Sequence, residues 1–221
     1  MRFPSNISPE LAEEVGWHIG DGSMNFYRNR GKFKGFYQLR GHIEDDKAHY
    51  ILRIKPLFEK LYKIKISLRE MPSTRVFGFQ IWGDGLVNFK KGLGLPLGFK
   101  HDIEIPEKFL SSHQLKKSVI RGIFDTDGGI YLERKNKKLY PRIYITTISF
   151  KLSDQFLKLF REFGLHATRY SQLYNRKFNR KRSYIITIRG IDMFNKFMKD
   201  IGPKNPKHQE KYLKFLQSQG L

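Results

Sequence analysis

The sequence predicts an α+β fold built from two similar halves, each with the element order αββαββα. One observation is a pattern of glycine, aspartate and glycine that occurs twice, so that Gly16 and Gly122, and also Asp21 and Asp127, lie 106 residues apart in a chain of 221. The other is the hydrophobic patterning, which predicts the same order of helices and strands after each copy. Since the spacing is close to half of the chain, two equivalent units are expected, and each supplies one pattern-bearing helix.

The first of these helices is predicted from about Pro9 to Gly20. Ser8-Pro9-Glu10 supplies an N-cap, a proline at the first helical position and an acid in the first turn. Gly16 and Gly20 leave one side of the helix without bulk, and Gly122 does the same in the second half. These glycines could simply weaken two helices, but their repetition favours close packing of one helix on the other.

The second helix is predicted to begin after Ser112 and to end at Asp127. Apolar residues recur at helical spacing before that acid, and Gly128-Gly129 is expected to end the helix through the left-handed glycine conformation. A carboxylate at a helix C-terminus faces the negative end of the helix dipole, where a cation is favoured. The position of this acid therefore suggests a functional site or a bound cation.

The remaining elements are predicted from alternation, helical periodicity and turn residues. In the first half we expect strands at 23–28 and 35–43, a helix at 46–62 with a kink at Pro56, strands at 63–69 and 75–82, and a helix at 84–93. In the second half we expect strands at 129–134 and 139–148, a helix at 153–163, strands at 165–173 and 183–189, and helices at 191–201 and 206–217. Prolines and glycines between the halves predict a first repeat at 1–94, a linker at 95–110 and a second repeat at 111–221.

The composition points to a polyanionic partner. The chain has 42 Lys and Arg residues against 21 Asp and Glu residues, which gives a net charge of +21 and a pI of about 10.1. Nucleic acid is the first interpretation, and a solvated basic surface is the alternative. With 14% aromatic residues, a disordered basic tail is disfavoured. Without cysteine there is no disulfide framework and no thiolate zinc site, and without a long apolar run or a signal peptide we expect an intracellular, soluble protein.

The repeated pattern also carries a family resemblance. The segment IRGIFDTDG at 120–128 closely resembles the LAGLIDADG motif of homing endonucleases, and EVGWHIGDG at 14–22 is a more divergent copy. The resemblance implies a monomeric two-motif enzyme, in which two antiparallel sheets form a saddle for double-stranded DNA and the motif helices pack together. It also implies cleavage of a long asymmetric target into short 3′ overhangs, with one metal-binding acid in each motif, here Asp21 and Asp127.

The chemistry of two neighbouring carboxylates agrees with that implication. If the helix ends meet, Asp21 and Asp127 come close and their negative charges repel. A divalent cation resolves this repulsion, and carboxylate oxygens suit Mg²⁺, with Mn²⁺ as a substitute. We place Gly20 and Thr126, which precede the two acids, in the same metal site.

The family also implies a lysine near each acid, and the motif copies depart from the family in two places. By pattern the lysines are Lys100 and Lys207, which are 107 residues apart, although either could be an ordinary surface charge. His18 replaces an aliphatic residue and is expected to pack in the core rather than to line the helix interface. Asp125 is expected to hydrogen-bond near its own helix end rather than to serve as a second acid.

The predicted hairpins and turns carry the candidate DNA contacts. An antiparallel ribbon can enter the major groove, where Arg, Lys, Gln and Asn read base edges, while lysines in turns contact phosphates. In the first half the predicted contacts are Ser23, Asn25, Tyr27, Arg28, Arg30, Lys32, Lys34, Gln38, Arg40, His42, Lys65, Ser67, Arg69, Arg75 and Gln80. In the second half they are Tyr131, Lys135, Lys137, Arg142, Tyr144, Arg176, Lys177, Arg180, Lys181, Arg182 and Arg189. For any one residue the alternative is an ordinary solvent-facing position.

The sequence thus predicts a site-specific, Mg²⁺-dependent DNA endonuclease that is encoded by an intron or is freestanding. One alternative is a binding protein on the same scaffold, either a splicing maturase with intron RNA as partner or a DNA-binding protein that does not cut. Another is a basic structural partner of ribosomal or chromatin assemblies. Retention of both acids favours cleavage. The lack of cysteine disfavours an intein, and we expect the protein in the cytoplasm or nucleoid of an archaeon rather than in an organelle.

Overall fold

The computed structural model describes residues 1–29, 31–136, 138–173 and 182–220, and it has the predicted order of elements in both halves. The first repeat consists of α1 (Pro9–Gly20), β1 (Gly22–Asn29), β2 (Lys32–His42), α2 (Lys47–His49), α3 (Lys55–Tyr62), β3 (Arg69–Met71), β4 (Val76–Trp82) and α4 (Asp84–Gly92). The second repeat consists of α5 (His113–Asp127), β5 (Gly128–Lys135), β6 (Lys138–Thr147), α6 (Phe150–Glu162), β7 (Ala167–Gln172), β8 (Ser183–Arg189), α7 (Ile191–Asp200) and α8 (Pro206–Ser218).

The strands form two four-stranded antiparallel sheets of identical topology. Sheet A has the order β1-β2-β4-β3, and sheet B has the order β5-β6-β8-β7. The registers also correspond, since Gly22 pairs with Leu39 and Gly128 pairs with Ile145, so each first strand starts directly after a motif aspartate. One face of each sheet packs on helices and the other faces outward. The predicted α+β fold with two pseudo-symmetric repeats is therefore confirmed.

The two motif helices begin as predicted. The Ser8 hydroxyl oxygen accepts a hydrogen bond from the amide of Leu11 at 3.2 Å, and the Ser112 hydroxyl accepts one from Leu115 at 3.3 Å. Each serine satisfies one of the amide groups that a helix N-terminus leaves without a partner. The start of each helix is thus determined locally.

The predicted left-handed glycine at the end of α5 is wrong. Gly128 is extended, with φ −95° and ψ 167°, so the chain passes from the helix directly into β5. Glycine is needed there for space, because a Cβ atom on Gly128 would lie 2.6 Å from the carbonyl oxygen of Phe124. In the first repeat, a Cβ atom on Gly22 would lie 2.6 Å from the Cα atom of His18. Both glycines let a strand fold back closely over the preceding helix.

Helices α1 and α5 pack backbone to backbone, as the repeated glycines predict. A Cβ atom on Gly16 would lie 2.5 Å from the carbonyl oxygen of Val119, and one on Gly122 would collide with the carbonyl oxygen of Glu13. Glu13 also links the repeats by charge, because its buried carboxylate pairs with Arg53 at 2.8 Å and with Arg121 of α5 at 3.4 Å. The ends of the two helices are consequently held side by side.

Two predicted elements in the first repeat need correction. The helix predicted at 46–62 is divided into α2, a π-helical segment at Tyr50–Ile54 and α3. The π-helical segment ends two residues before Pro56, which cannot donate a backbone hydrogen bond. The strand predicted at 63–69 is wrong for residues 63–68, and only its last residue, Arg69, belongs to a strand, β3. Outside β3 the Ile66 amide donates to the Glu59 carboxylate at 2.9 Å, so this backbone group is held by α3 and not by a neighbouring strand.

A buried ion pair lies within the first repeat. The Lys90 ammonium contacts both carboxylate oxygens of Glu14, and both side chains have no solvent exposure. The Tyr62 hydroxyl donates to Glu14 at 2.9 Å, and the rings of Tyr37 and Tyr62 lie 5.4 and 5.6 Å from the ammonium nitrogen. The charges are thereby satisfied inside an apolar core.

In the described part of the chain, no helix is both long and apolar enough to cross a membrane.

Candidate active site

The two motif aspartates come together where α1 and α5 end. Asp127 is the last residue of α5, and Asp21 is the residue that caps α1. A Cβ atom on Gly20 would lie 3.3 Å from the carboxyl carbon of Asp127, so the second motif's acid lies against the backbone of the first motif. Asp127 is exposed and Asp21 is half-buried, so the pair can be reached from solvent.

The surroundings of these carboxyls disfavour two negative charges. Burial, followed by the charges of Asp127 and Asp46, raises the pKa of Asp21 well above its usual value. The Tyr50 hydroxyl partly offsets this by donating to the Asp21 carboxylate at 2.9 Å. Desolvation by the surrounding protein raises the pKa of the Asp127 carboxyl to about 6, while the charges of Lys100 and Lys207 act in the opposite direction. A bound cation would relieve the same repulsion.

Lys100 lies at the C-terminal end of α1, as the pattern suggested. Its ammonium group donates to the carbonyl oxygens of Ile19 at 2.8 Å and His18 at 3.3 Å, and it also contacts the carbonyl oxygen of Gly20. A cation here is favoured by the negative end of the helix dipole. Burial lowers the pKa of Lys100, while Asp127 and Asp21 act in the opposite direction. Lys100 therefore lowers the pKa of both motif acids, and for Asp127 its effect is larger than that of Lys207.

Lys207 reaches the same region but has a different partner. Its ammonium group donates to the Asp46 carboxylate at 2.7 Å. Asp46 is nearly buried, and it also accepts hydrogen bonds from the His42 amide at 2.8 Å and the Asn205 side chain at 2.9 Å. Lys207 still acts on the charge of Asp127, since it lowers the pKa of that carboxyl, after Lys100 in the size of its effect.

Sequence reasoning missed Asp46. A Cβ atom on Gly41 would lie 2.9 Å from both the Asp21 carboxylate and the Cβ atom of Asp46, so the third acid adjoins the motif pair. In the sequence, Asp46 follows two other acids at the start of a predicted helix, where an acid is ordinarily an N-terminal cap. Its partner Lys207 is 161 residues away, so no local pattern identifies the contact.

Asp125 and His18 have structural roles. The prediction that Asp125 hydrogen-bonds near its own helix end is wrong, because its carboxylate accepts hydrogen bonds from the backbone amides of Lys204 at 2.9 Å and Asn205 at 3.1 Å. It fixes the loop before α8, and burial raises its pKa to about 7. His18 is buried and stacks on the Tyr37 ring with centroids 5.6 Å apart, which agrees with packing in the core.

The acids present fit a divalent cation held by few protein ligands. Among the described residues, no group of three or more histidine, aspartate or glutamate side chains could hold a metal ion. Mg²⁺ is commonly bound by one or two carboxylates together with water and substrate phosphates, which suits the Asp21 and Asp127 pair. Gly20 and Thr126, which were also predicted in the metal site, already have hydrogen-bond partners. The Gly20 carbonyl accepts from Lys100, and the Thr126 hydroxyl donates to the Ile123 carbonyl at 3.0 Å.

The outward face of sheet A presents amides and arginines in rows. Ser23, Gln38 and Gln80 are paired across β1, β2 and β4, and the Gln38 amide donates to the Ser23 hydroxyl at 2.8 Å. Arg40 and Arg69 form the next row on either side of Gly78. Asn25, Tyr27 and His42 share this face by strand alternation, and Arg28, Lys32 and Lys34 lie exposed on the two strands of the β1–β2 hairpin.

The outward face of sheet B is richer in hydroxyl groups. Tyr131, Arg142 and Arg189 form one row, and Tyr144 lies in the next. Glu133, on the same face, pairs with Arg142 and with Lys135 at 3.1 Å. The alternation of residue types in 165–173 is too weak to predict which side chains face outward. The register now places Thr168 and Tyr170 outward, and Tyr140 is a further outward residue that the sequence reasoning omitted.

Some predicted contacts lie elsewhere. Lys65 and Ser67 follow α3 without forming a strand, and they line a shallow cavity with Ile51 and Lys55, on the helical side of the sheet. Arg75 is exposed in a left-handed turn with φ 53°, and Arg182 is exposed just before β8. The residues that fall outside the described part of the chain are Arg30, Lys137, Arg176, Lys177, Arg180 and Lys181.

Sequence comparisons identify the second repeat. The model of the LAGLIDADG-like domain matches residues 114–202. Among curated proteins, the replication factor C small subunit of Methanocaldococcus jannaschii is 27% identical over 217 residues, covering 97% of this chain and 10% of that protein. The glutamine–fructose-6-phosphate aminotransferase of the same organism is 26% identical over 204 residues, covering 91% of this chain and 17% of that protein. The chain thus spans less than a fifth of these relatives.

Comparison with solved structures extends the likeness to the whole fold. A structure of mesophilic variants of the homing endonuclease I-DmoI superposes with a TM-score of 0.64 at 16% identity, covering 89% of this chain and 92% of that one. The LAGLIDADG meganuclease I-AabMI bound to uncleaved DNA gives 0.54 at 13% identity, covering 97% and 99%. At these identities the likeness concerns the fold. Residues 114–202 therefore belong to the LAGLIDADG-like domain family, and the chain as a whole has the two-repeat fold of LAGLIDADG proteins.

Proposed function

We propose that the chain is a site-specific DNA endonuclease that uses divalent metal ions to cut both strands of a long asymmetric target, leaving short 3′ overhangs. The observation that carries this proposal is the meeting of Asp21 and Asp127 at the ends of two helices that pack backbone to backbone. Both acids lie directly before the first strand of a sheet, so the candidate site adjoins both outward faces. Two proteins of similar fold, the homing endonucleases I-DmoI and I-GzeII, form complexes with their target DNA.

Binding of duplex DNA follows from the charge and the faces of the sheets. A net charge of +21 favours neutralisation of backbone phosphates, and much of the affinity should therefore depend on salt. Amide and guanidinium groups in rows on sheet A match the hydrogen-bonding edges of adenine and guanine in the major groove. Two different faces, one on each repeat, suit a target without two-fold symmetry.

The chemistry of the candidate active site depends on where the chain places its charged side chains. Asp21 and Asp127 would hold the divalent ion, Mg²⁺ or in its place Mn²⁺, and such an ion stabilises negative charge on phosphoryl oxygens. Lys100 places a further positive charge beside both carboxylates, held in position by the carbonyl groups that end α1. Tyr50 fixes the orientation of Asp21 through its hydroxyl. Preorganised charge of this kind is effective because it needs no rearrangement during the reaction.

The proposal is tested by cleavage of a randomised plasmid library with Mg²⁺, with Mn²⁺ and with EDTA. The native protein should produce metal-dependent linear plasmid whose sequenced ends define one long target and short 3′ overhangs. Asp127→Asn should bind the recovered target but not cut it. Asp192→Asn, which changes an exposed acid at the start of α7, should cut like the native protein.

Binding without any cutting, despite adequate library coverage, would contradict the endonuclease proposal. The same protein should then be tested for binding and splicing of intron RNA, since a maturase on this scaffold would keep the basic faces and not need the acids. Binding that ignores sequence and survives EDTA would instead favour a structural partner of a nucleic-acid assembly.

A further inference from the structure

The two lysines of the candidate site are not equivalent. Among the described residues, Lys100 contacts the backbone carbonyl groups that end α1, including that of Gly20, against which the Asp127 carboxyl lies, and it interacts with the charges of both motif acids. Lys207 forms an ion pair with Asp46 at 2.7 Å, with both side chains largely removed from solvent. The repeats are similar in sequence order and in sheet topology, so this difference in partners is a specific departure from their symmetry.

The departure has an identifiable origin in the side chains around each lysine. Asp46 occupies the N-cap position of α2 without a side-chain capping bond, and the N-cap residue of α6 at the corresponding place is Ser149, whose hydroxyl donates to the Ile103 carbonyl at 2.6 Å. Asn205, two residues before Lys207, donates its side-chain amide to Asp46 at 2.9 Å. Two residues before Lys100 is Gly98, which has no side chain to do this. Of these two described loops, the one before α8 is therefore the one whose side chain contacts the Asp46 carboxylate.

We propose that Asp46 is a positioning residue that holds Lys207 back from the motif acids, so that the two strands of a bound duplex are cut at unequal rates. This inference rests on the proposed endonuclease function. The DNA strand that is cut next to Lys100 is cut first, because the Lys100 ammonium group already lies near Asp21 and Asp127. The second cut requires Lys207 to exchange its contact with Asp46 for one with a DNA phosphate.

The size of the difference follows from the contact that must be broken. A hydrogen bond between charged groups is stronger than a neutral one, and breaking it leaves the nearly buried Asp46 with one donor fewer. We therefore expect the two strands of the native reaction to differ in rate by about tenfold.

The decisive variant is Asp46→Asn. Asp46 accepts hydrogen bonds from three donors, the His42 amide, the Asn205 side chain and the Lys207 ammonium group. Asparagine has one acceptor oxygen, which accepts at most two of the three donors, and it has no charge, so we expect its contact with the Lys207 ammonium group to be much weaker. Glu44→Gln is the matched control, since it removes an exposed acid two residues away.

Strand order is measured on the target recovered from the library, with a different end label on each strand. The native protein and Glu44→Gln should cut one strand about tenfold faster than the other. In Asp46→Asn the ratio should approach one, and Lys207→Met should slow only the second cut. A loss of folding stability alone would slow both cuts in parallel and leave the ratio unchanged. A native ratio near one, or an unchanged ratio in Asp46→Asn, overturns the inference.

A second readout needs neither metal nor cleavage. Lysine acetylation of the metal-free protein, followed by mass spectrometry, should label Lys207 several times faster in Asp46→Asn than in native protein, while Lys100 is unaffected. Equal labelling of Lys207 in both proteins would refute the ion pair in solution. The two failures are distinct: absence of any cutting refutes the proposed function, whereas equal cutting of both strands refutes only the role of Asp46.

Discussion

A Cβ atom placed on Gly16 would lie 2.8 Å from the Cα atom of Gly122, so no side chain fits where the two motif helices cross. The close crossing of the helices sets the distance between their C-terminal ends, and hence how closely Asp21 and Asp127 approach. The glycines are therefore part of the candidate site, although neither carries a functional group.

Alanine at Gly122 should destabilise the protein, because its Cβ atom would collide with the Glu13 carbonyl oxygen in the neighbouring backbone. We expect a loss of about 1–3 kcal/mol in the free energy of unfolding, measured by urea denaturation. Gly92→Ala is the control: it lies at the end of α4 with no atom near an added Cβ, and it should be neutral or slightly stabilising. Equal effects of the two substitutions would contradict the close helix packing.

Removal of one charge from the pair between Glu14 and Lys90 should be costly. Lys90→Met leaves the fully buried Glu14 carboxylate without its cation, and we expect it to destabilise the protein by about 3–5 kcal/mol. Combining it with Glu14→Gln should recover part of this loss, since no uncompensated charge remains. Urea denaturation of the two single variants and the double variant measures the coupling, and simple additivity would argue against the pair.

The Asp127→Asn variant should separate stability from activity. Cleavage should fall by about a thousandfold or more, because the amide cannot replace a carboxylate beside the cation. The metal-free variant should nevertheless melt at the same or a higher temperature than native protein at pH 7.5 or higher, since it removes one of two repelling charges. Calorimetry and plasmid cleavage on the same preparation check both expectations, and a marked fall in melting temperature would show that Asp127 supports the fold.

Stabilisation by a divalent cation should increase with pH. The folded-state pKa of Asp127, about 6, is above its ordinary value of 3.8, so the stability contributed by this group is present below pH 4 and is lost as pH rises through 6. A cation binds the deprotonated form, and its effect grows over the same interval. The rise in melting temperature with saturating Mg²⁺ should be larger at pH 7.5 than at pH 5.0. A rise independent of pH would place the cation elsewhere.

The faces of the sheets predict which substitutions alter recognition. Gln38→Ala removes an outward amide from the central row of sheet A, and it should cost about 1–3 kcal/mol of discrimination at one base pair of the target. Lys65→Ala, on the helical side and paired with Glu59 at 3.5 Å, should leave base preference unchanged. Cleavage of a library with single base changes in the target tests both. A shift of preference in Lys65→Ala alone would reverse our assignment of the faces.

The sequence by itself determined the repeat, the helix starts at Ser8 and Ser112, the alternation of the hairpins and the two motif acids. These features depend on contacts within a few residues or on a long regular spacing, so the pattern of residue types is sufficient to predict them. Local patterns gave a wrong prediction where a side chain competes for a backbone group. Alternation predicted a strand at Ile66, but the Ile66 amide donates to the Glu59 carboxylate instead of to a neighbouring strand.

Only the tertiary structure decided the partners of Lys207 and Asp125 and the outward side of β7. Asp46 and Lys207 are 161 residues apart, and Asp125 meets the loop before α8 across 79 residues, so their contacts arise from how the two repeats pack. The facing of Tyr170 depends on its register with Ile185 in β8, because a shift of one residue would turn every side chain of the strand to the other face. Such contacts depend on the packing of distant segments, which local periodicity does not encode.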